Sequence, residues 1–480
     1  MEGVVILKRN CCDPYSLILI LKRTMIQRHL LAFVFLLGSS PQLFSQTLTL
    51  EGAVEASFAQ YPTLAAQRSA LDAIRANVRV VRDNRLPNVR LHDQINIGTA
   101  NGLSGSYFSL GLIVPTSGGR RAENRPDLAS GNVALATADW EIYNFGRFSA
   151  EDKLVRSDVA VSEANLQREQ FGLRQTVISS YLDLYWTEQN LLIEEQNLAR
   201  VDTVRRIIVN LVRNGVKPGL DSSLANVALS RARLAYLRMQ EERQRARVQL
   251  ATLTGRPAEE VKIDTAFRVG PLLVPLSTSL TPPTHPLLRV QERLVTRQTA
   301  EIDLIRKSAL PRVSLLAATW ARGSSLDVEN NFGPVAKGLA YSRTNYLLGI
   351  AGTVNLMDFR RASHRIKLQQ FRIEEARNQL AVAKLQLQNA VGIADAQLSV
   401  VQSELSELPN TLRSAQDAYN QRFSLYNNGL ETILSLTDAL TLLTAVEKEA
   451  VQTRAQAVQL RLQRAQATDN FEEFYSLFRR

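Results

Sequence analysis

Two long stretches of the chain, 146–212 and 360–470, are rich in Leu, Ala, Gln and Arg and poor in Gly and Pro. In the second stretch the apolar residues recur at the spacing of a coiled coil, which predicts long helices packed along one stripe. Seventy residues of helix would form a rod of roughly 105 Å. Pro409 lies inside the second rod and predicts a local kink. The stripe consists of Leu380, Leu387, Val391, Leu398, Val401, Leu405, Leu408 and Leu412.

Four shorter segments, 89–98, 132–142, 312–322 and 345–356, change to a period of two. Alternation predicts strands, each of about 10 to 12 residues, near the length that spans a bilayer when tilted. The segment 312–322 is the least regular, so the side to which Trp320 points stays open. Trp140 and Tyr346 are expected at the membrane boundary, where aromatic residues of membrane barrels lie.

A sheet in lipid must close on itself, because an open edge leaves backbone groups unpaired. Four strands are too few, since the smallest bacterial barrels have about eight. The sequence therefore predicts that several chains share one barrel.

The chain repeats itself. An X-Pro and a later Leu-Pro lie 25 residues apart in each half, at Pro62 and Pro87 and again at Pro286 and Pro311. Two matching spacings with matching landmarks predict an internal duplication.

A second spacing has the same register, since a Phe and a later Gly lie 70 residues apart in both halves, at Phe145 and Gly215 and at Phe359 and Gly429. Each half thus predicts a helix, a β-hairpin, a long helix, a tip turn and a returning helix. The hairpins fall at about 88–143 and 312–356.

These boundaries divide the chain into a leader, two repeats, a linker and a tail. The segment from Met25 to about Ser45 has a basic start, an apolar run and small residues, which is typical of a secretory signal. Met25 is the expected true start. The five parts are the leader 1–45, the first repeat 46–256, the Pro-rich linker 257–284, the second repeat 285–470 and the tail 471–480.

Charge and chemistry exclude several classes. The net charge is +11, but the basic residues are scattered beside acids at helical spacing, which does not favour nucleic-acid binding. Cys11 and Cys12 are the only cysteines, and the four histidines are far apart, so no metal site is predicted. No phosphate loop or nucleophile elbow is present, and neither an enzyme nor a cofactor is expected.

These features together resemble the TolC-like outer-membrane efflux channels: an exported chain, two hairpins, two rods and two tip turns. The resemblance spans about residues 47–470. It implies a mainly α chain with transmembrane β-strands, forming a homotrimer. Four strands from each chain make a 12-stranded β-barrel in outer-membrane lipid, above a coiled-coil α-helical barrel in the periplasm. It further implies a passive exit duct that a periplasmic adaptor and an inner-membrane pump engage at the tips.

The resemblance also assigns the tips. Asn214 and Gly215, with Asn428 and Gly429, would form the turns that meet the adaptor. The family's closed end has acids six and nine positions after the second Gly; here Ser435 and Asp438 occupy those positions. The gate residues implied in this chain are Asp438, Ser435, Tyr426 and Asp221.

The chain departs from the pattern at Glu431, where the best-known member has an Arg that holds the closed tip. That Arg-centred contact cannot be carried over to this chain, and Arg213 is a candidate substitute. Asp221 also fits a helix N-cap, and Tyr426 also fits simple packing. A periplasmic coiled-coil scaffold or adaptor without a pore is the alternative to a duct. It would lack membrane hairpins.

Overall fold

The computed structural model describes residues 47–102, 120–264 and 285–478. The predicted leader, 1–45, and most of the predicted linker lie outside these residues. Across the described part of the chain, no helix is both long and apolar enough to cross a membrane. The elements, in chain order, are α1 (Leu50–Gln60), α2 (Pro62–Asp83), β1 (Asn88–Thr99), β2 (Leu128–Tyr143), α3 (Arg147–Arg213), α4 (Gly219–Thr254), α5 (Pro286–Ser308), β3 (Arg312–Ser324), β4 (Arg343–Thr353), α6 (Leu356–Asn427), α7 (Ile433–Thr468) and α8 (Phe471–Tyr475).

The two repeats have closely matched elements. The short helices α2 and α5 contain 22 and 23 residues, and each begins with a proline at its first position. The long helices α3 and α6 contain 67 and 72 residues, and the returning helices α4 and α7 contain 36 each. Proline is favoured at a helix start because its missing N–H has no partner there. The duplicated order of elements read from the sequence is thus present.

The four strands form one antiparallel sheet in the order β1-β2-β3-β4. The predicted fourth strand differs at its end, because β4 stops at Thr353 and α6 begins at Leu356. The Asn355 side chain accepts a hydrogen bond from the Met357 N–H at 3.2 Å, which starts the helix. Val354 and Leu356, which belong to the predicted strand segment 345–356, therefore lie outside the observed strand.

The register gives the sheet two different faces. One face, here called the apolar face, carries Val89, Leu91, Tyr346 and Leu348 with the alanines of β2 between them. These four side chains are at least 60% exposed, so the described residues leave this surface uncovered. The opposite face, here called the polar face, carries Arg90, His92, Gln94, Thr137 and Asn345.

Trp140 and Trp320 lie on opposite faces. Trp140 pairs with Leu315 and belongs to the apolar face, whereas Trp320 pairs with Leu135 and belongs to the polar face. The Trp140 Nε1–H donates to the carbonyl of Arg85 at 2.9 Å, at the end of the sheet that joins the helices. An indole with an apolar body and one hydrogen bond suits a membrane boundary.

The long helices pack through the predicted stripe. Leu387, Leu398, Val401 and Leu408 are buried, and the other stripe residues lie against the same clusters. Helix α6 continues through Pro409 as one element. Between the repeats, the Arg200 guanidinium on α3 binds the Glu447 carboxylate on α7 through two bonds of 2.8 and 2.6 Å. A two-bond pair of this kind fixes the relative position of the two rods.

The largest core lies midway along the molecule and joins both ends of the described chain. Leu48 forms a parallel bridge to Ile263, so the start of the predicted linker packs into the core. The predicted C-terminal tail does the same, because Phe471 and Phe474 are 4% and 2% exposed. At the centre Tyr181 is fully buried and its hydroxyl donates to the Leu48 carbonyl at 2.9 Å.

His285 connects the second repeat to the end of the last long helix. Its Nδ1 accepts from the Leu287 N–H at 3.2 Å and caps α5, and its Nε2 lies 2.9 Å from the Gln466 carbonyl. These partners require the neutral imidazole with the proton on Nε2. The ring is fully buried and meets Phe171 edge to face at 5.0 Å.

Replacing this histidine should destabilise the middle of the molecule. We expect His285→Ala to lower the free energy of unfolding by about 2 kcal/mol, because it removes a helix cap and the hydrogen bond to the Gln466 carbonyl. His285→Asn keeps a capping oxygen and should lose about half as much. The measurement is thermal loss of the helical circular dichroism of the detergent-solubilised protein. Equal melting of the alanine variant and the wild type would contradict the assignment.

Candidate functional site

Both tips end their long helix with the same backbone motif. At the first, the Gly215 N–H donates to Val212 at 3.0 Å and the Val216 N–H donates to Leu211 at 2.9 Å. The equivalent bonds at the second tip are formed by Gly429 and Leu430, at 3.1 and 2.9 Å. This pair of bonds is a Schellman motif, which ends a helix. It needs a left-handed residue, and the glycines have φ of +72° and +78°.

The two tip turns face outward. Asn214, Gly215, Asn428 and Gly429 are all exposed, and no side chain lies within contact distance of a Cβ added to either glycine. The residues that follow the glycines are also uncovered, since Val216 is 63% and Leu430 is 74% exposed. In a Schellman motif this residue often packs back on its own helix. Here both apolar side chains remain available for another surface.

Tyr426 joins the two tips from the inside. Its side chain is 1% exposed and packs in a cluster drawn from all four long and returning helices, with Ile208, Ala225, Ile433 and Leu436 among its members. Its hydroxyl donates to Asp221 Oδ2 at 3.3 Å, across the repeats. Burial and then the Asp221 carboxylate raise the pKa of Tyr426 to about 12, so the phenol stays a hydrogen-bond donor.

Asp221 is not the cap of α4. Pro218 occupies the N-cap position, and Asp221 is the third residue of the helix. An acid in the first turn still interacts favourably with the helix dipole. The Asp221 side chain, however, accepts its hydrogen bond from Tyr426. Lys217 lies over the ring of the same phenol, with its Nζ 4.9 Å from the ring centre. The tip thus combines an acid, a phenol and a cation–π contact.

Glu431 has a partner on its own chain. Its carboxylate oxygen lies 2.7 Å from a guanidinium nitrogen of Arg422, which is five residues before the end of α6. Ser435 and then Arg422 donate hydrogen bonds that hold the pKa of Glu431 below its usual value. The suggested substitute Arg213 is exposed and makes no ion pair among the described residues. The charge at position 431 is therefore neutralised within the second tip.

Ser435 and Asp438 occupy different surroundings. The Ser435 N–H donates to the Thr432 hydroxyl at 3.3 Å and its own hydroxyl lies 3.1 Å from the same oxygen, so Ser435 belongs to the cap of α7. Asp438 is exposed, and no ion pair or hydrogen bond to its side chain is present in the described part of the chain. It lies on an exposed helix face between Leu434 and Leu442.

No group of three or more His, Cys, Asp or Glu side chains that could hold a metal occurs in 47–102, 120–264 and 285–478. The distinctive surfaces are therefore the two-faced sheet at one end and the paired tips at the other.

The sequence matches the family model described as "Outer membrane efflux protein" over residues 54–256 and 283–468. Each of the two matched segments overlaps one of the two predicted repeats. The chain belongs to the outer membrane efflux protein family. Comparison with curated protein sequences gives no match.

Solved structures of outer-membrane channels have the same fold at low identity. VceC from Vibrio cholerae is 16% identical, with a TM-score of 0.66 over 87% of this chain and 95% of VceC. Campylobacter jejuni CmeC is 12% identical, with a TM-score of 0.67 over 90% of each chain. The open state of Neisseria gonorrhoeae MtrE is 17% identical, with a TM-score of 0.64 over 87% and 88%.

This membership determines the assembly. The protein is a trimeric efflux channel of the outer membrane, with a β-barrel to which each chain gives four strands and a helical barrel in the periplasm. It is a passive channel and not an enzyme. The apolar face of the sheet accordingly contacts lipid, and the polar face lines the lumen.

Sequence reasoning found the tip acids and the tyrosine but missed two of their partners. Neither Arg422 nor Lys217 belongs to the family pattern that drew attention to the tips. Arg422 lies nine residues before Glu431, across the turn, so no helical spacing relates them. A signal was available in Glu431 itself, because an acid placed where the best-known member of the resembled family has Arg needs a new counter-charge.

The hydrogen bond between the tips can be tested directly. Tyr426→Phe keeps the packing and removes the hydrogen-bond donor. We therefore expect the free energy of local opening to fall by about 1 kcal/mol, which corresponds to roughly fivefold faster amide exchange in both tip turns. Tyr419→Phe is the matched control, because Tyr419 packs on the same helix and its hydroxyl makes no hydrogen bond with the described residues. Equal exchange in the two variants would show that the hydroxyl contributes nothing.

Proposed function

We propose that this channel is the outer-membrane exit duct of a tripartite efflux or type I secretion system. An adaptor protein docks at its periplasmic tips and opens it, and an inner-membrane pump supplies the solute. Support comes from the two matching tip turns, each of which exposes glycine backbone and one apolar side chain, Val216 or Leu430. Such a surface suits a protein partner, because exposed apolar groups gain from being covered.

Opening is proposed to separate helices at the tip. The phenol of Tyr426 and the carboxylate of Asp221 hold the first and second tips together in the closed state. Adaptor binding at Val216 and Leu430 acts on the same turns, within one helical turn of this bond. A ligand shifts such an equilibrium only through a difference in affinity for the two states. The adaptor must therefore bind the untwisted tips more tightly.

Asp438 is proposed to supply the charge of the closed constriction. Three exposed carboxylates, one from each chain, would form a ring that attracts cations. No described residue acts as a counter-ion to this side chain, so its charge acts outward. Ser435 contributes a hydroxyl to the cap of α7 and no charge. The constriction proposed here consequently has one acidic ring.

The duct itself is tested by fractionation followed by unheated gel electrophoresis. We expect the full-length protein in the outer-membrane fraction, extracted only by detergent, and migrating at the mass of a trimer. The reason is that the open sheet edges must be paired in lipid. A periplasmic monomer or dimer that needs no detergent would instead support a coiled-coil scaffold without a pore.

The charge of Asp438 is tested by bilayer conductance. We expect Asp438→Asn to weaken block by a trivalent cation at least tenfold and to reduce cation preference, because three charges leave the constriction together. Asp417→Asn is the control, since Asp417 is another exposed acid near the same tip. Unchanged block in Asp438→Asn, or an equal change in both variants, would remove Asp438 from the gate.

A further inference from the structure

Two arginines lie directly opposite each other on the polar face of the sheet. Arg322 of β3 pairs with Arg343 of β4 in the antiparallel register. Both residues are exposed, and neither makes an ion pair with an acid among the described residues. Like charges in directly opposed positions destabilise a sheet. Among the described residues, no acidic side chain pairs with either arginine to offset this repulsion.

The pair lies at the outer end of the barrel. Arg343 is the first residue of β4 and Arg322 is two residues from the end of β3, at the end of the sheet away from the helices. Across the sheet Arg322 faces Val133, which pairs with Gln94. These residues belong to the polar face, so both guanidinium groups line the lumen close to its extracellular mouth.

Acidic residues on the same face are too distant to neutralise the pair. The nearest along β2 is Asp139, six residues from Val133, which is roughly 20 Å at the rise of a strand. The screening length in physiological salt is about 8 Å. Above the strands, Asp127 is already paired with Arg125 at 3.3 Å. On the polar face itself, the two guanidinium groups therefore keep their positive charge.

Trp320 adds a second recognition element. It is two residues from Arg322 on the same face and pairs with Asn345 of β4. The row directly below the arginines thus offers an indole and a carboxamide to the lumen. Arginine binds carboxylate, sulfate and phosphate groups through its planar set of donors. An indole beside it gives the carbon part of an organic anion a surface to pack on.

We propose that Arg322 and Arg343 form an anion-binding ring at the extracellular mouth, with six guanidinium groups in the trimer. The ring draws multivalent organic anions through the last part of the duct and slows their passage. It rests on the proposed function, because a lumen at this position requires the assembled channel. The two ends of the duct then differ in sign, with acids at the periplasmic tip and bases at the mouth.

The test uses the full-length trimer in planar bilayers, with inositol hexakisphosphate as the anionic probe. Block of the tip by a trivalent cation identifies the periplasmic chamber. We expect the probe to block current when added to the extracellular chamber and to lose potency as salt rises. The double variant Arg322→Gln with Arg343→Gln should weaken this block at least tenfold, and the double lysine variant should retain it.

Lys337 provides a matched control at the same height. It lies in the turn Val335–Leu339, which packs on Ser130 and Asn132. Those two residues belong to the apolar face, so Lys337 adds a positive charge outside the lumen. Lys337→Gln should leave the block unchanged, and a loss equal to that of the arginine variant would overturn a luminal ring.

The remaining outcomes separate the two proposals. A conducting wild-type channel that the probe does not block overturns the ring and leaves the duct standing. A conducting glutamine variant that is blocked like the wild type does the same. If no preparation conducts, the proposed duct fails and the ring fails with it.

Discussion

The unpaired edges of the sheet are the constraint on which the rest of the structure depends. β1 and β4 each leave one row of backbone groups without a strand partner among the described residues. In lipid these groups find no water, so the edges must pair with other chains. A trimer satisfies them, and closure then makes one face of every strand lipid-facing and the other luminal. The polar row with its two arginines is tolerated only because that face is wet.

The helical part extends the same closure into the periplasm. Each long helix uses one stripe against its own chain, and Arg200 with Glu447 fixes one repeat against the other. An apolar stripe near the first tip remains exposed in the single chain, as at Leu220 and Leu224 of α4. Contact between neighbouring chains in the trimer is the natural cover for such stripes. The barrel of rods is therefore a property of the assembly, while the pairing within each repeat is a property of the chain.

The tips illustrate how a duplicated motif acquires different chemistry. Both turns have the same hydrogen bonds and the same left-handed glycine. Their side chains differ: the first supplies Asp221 and Lys217, and the second supplies Tyr426 between them. Glu431 is neutralised by Arg422 inside the second tip, so it is not left to attract a base from a neighbour. The hydrogen bond from Tyr426 to Asp221 and the contact of Lys217 with the Tyr426 ring then link the two turns.

The sequence by itself determined the duplication, the four strands, the two rods and the positions of the tip turns. Each of these depends on spacing along the chain, whether a period of two, a coiled-coil repeat or a glycine after a helix. Only the tertiary structure decided which face Trp320 joins, where β4 ends, that Asp221 meets Tyr426 instead of capping its helix, and that Arg422 holds Glu431. These outcomes depend on strand register and on contacts across turns and between repeats. Periodicity records which residues share a face of one element, but it carries no information about which face of another element lies opposite.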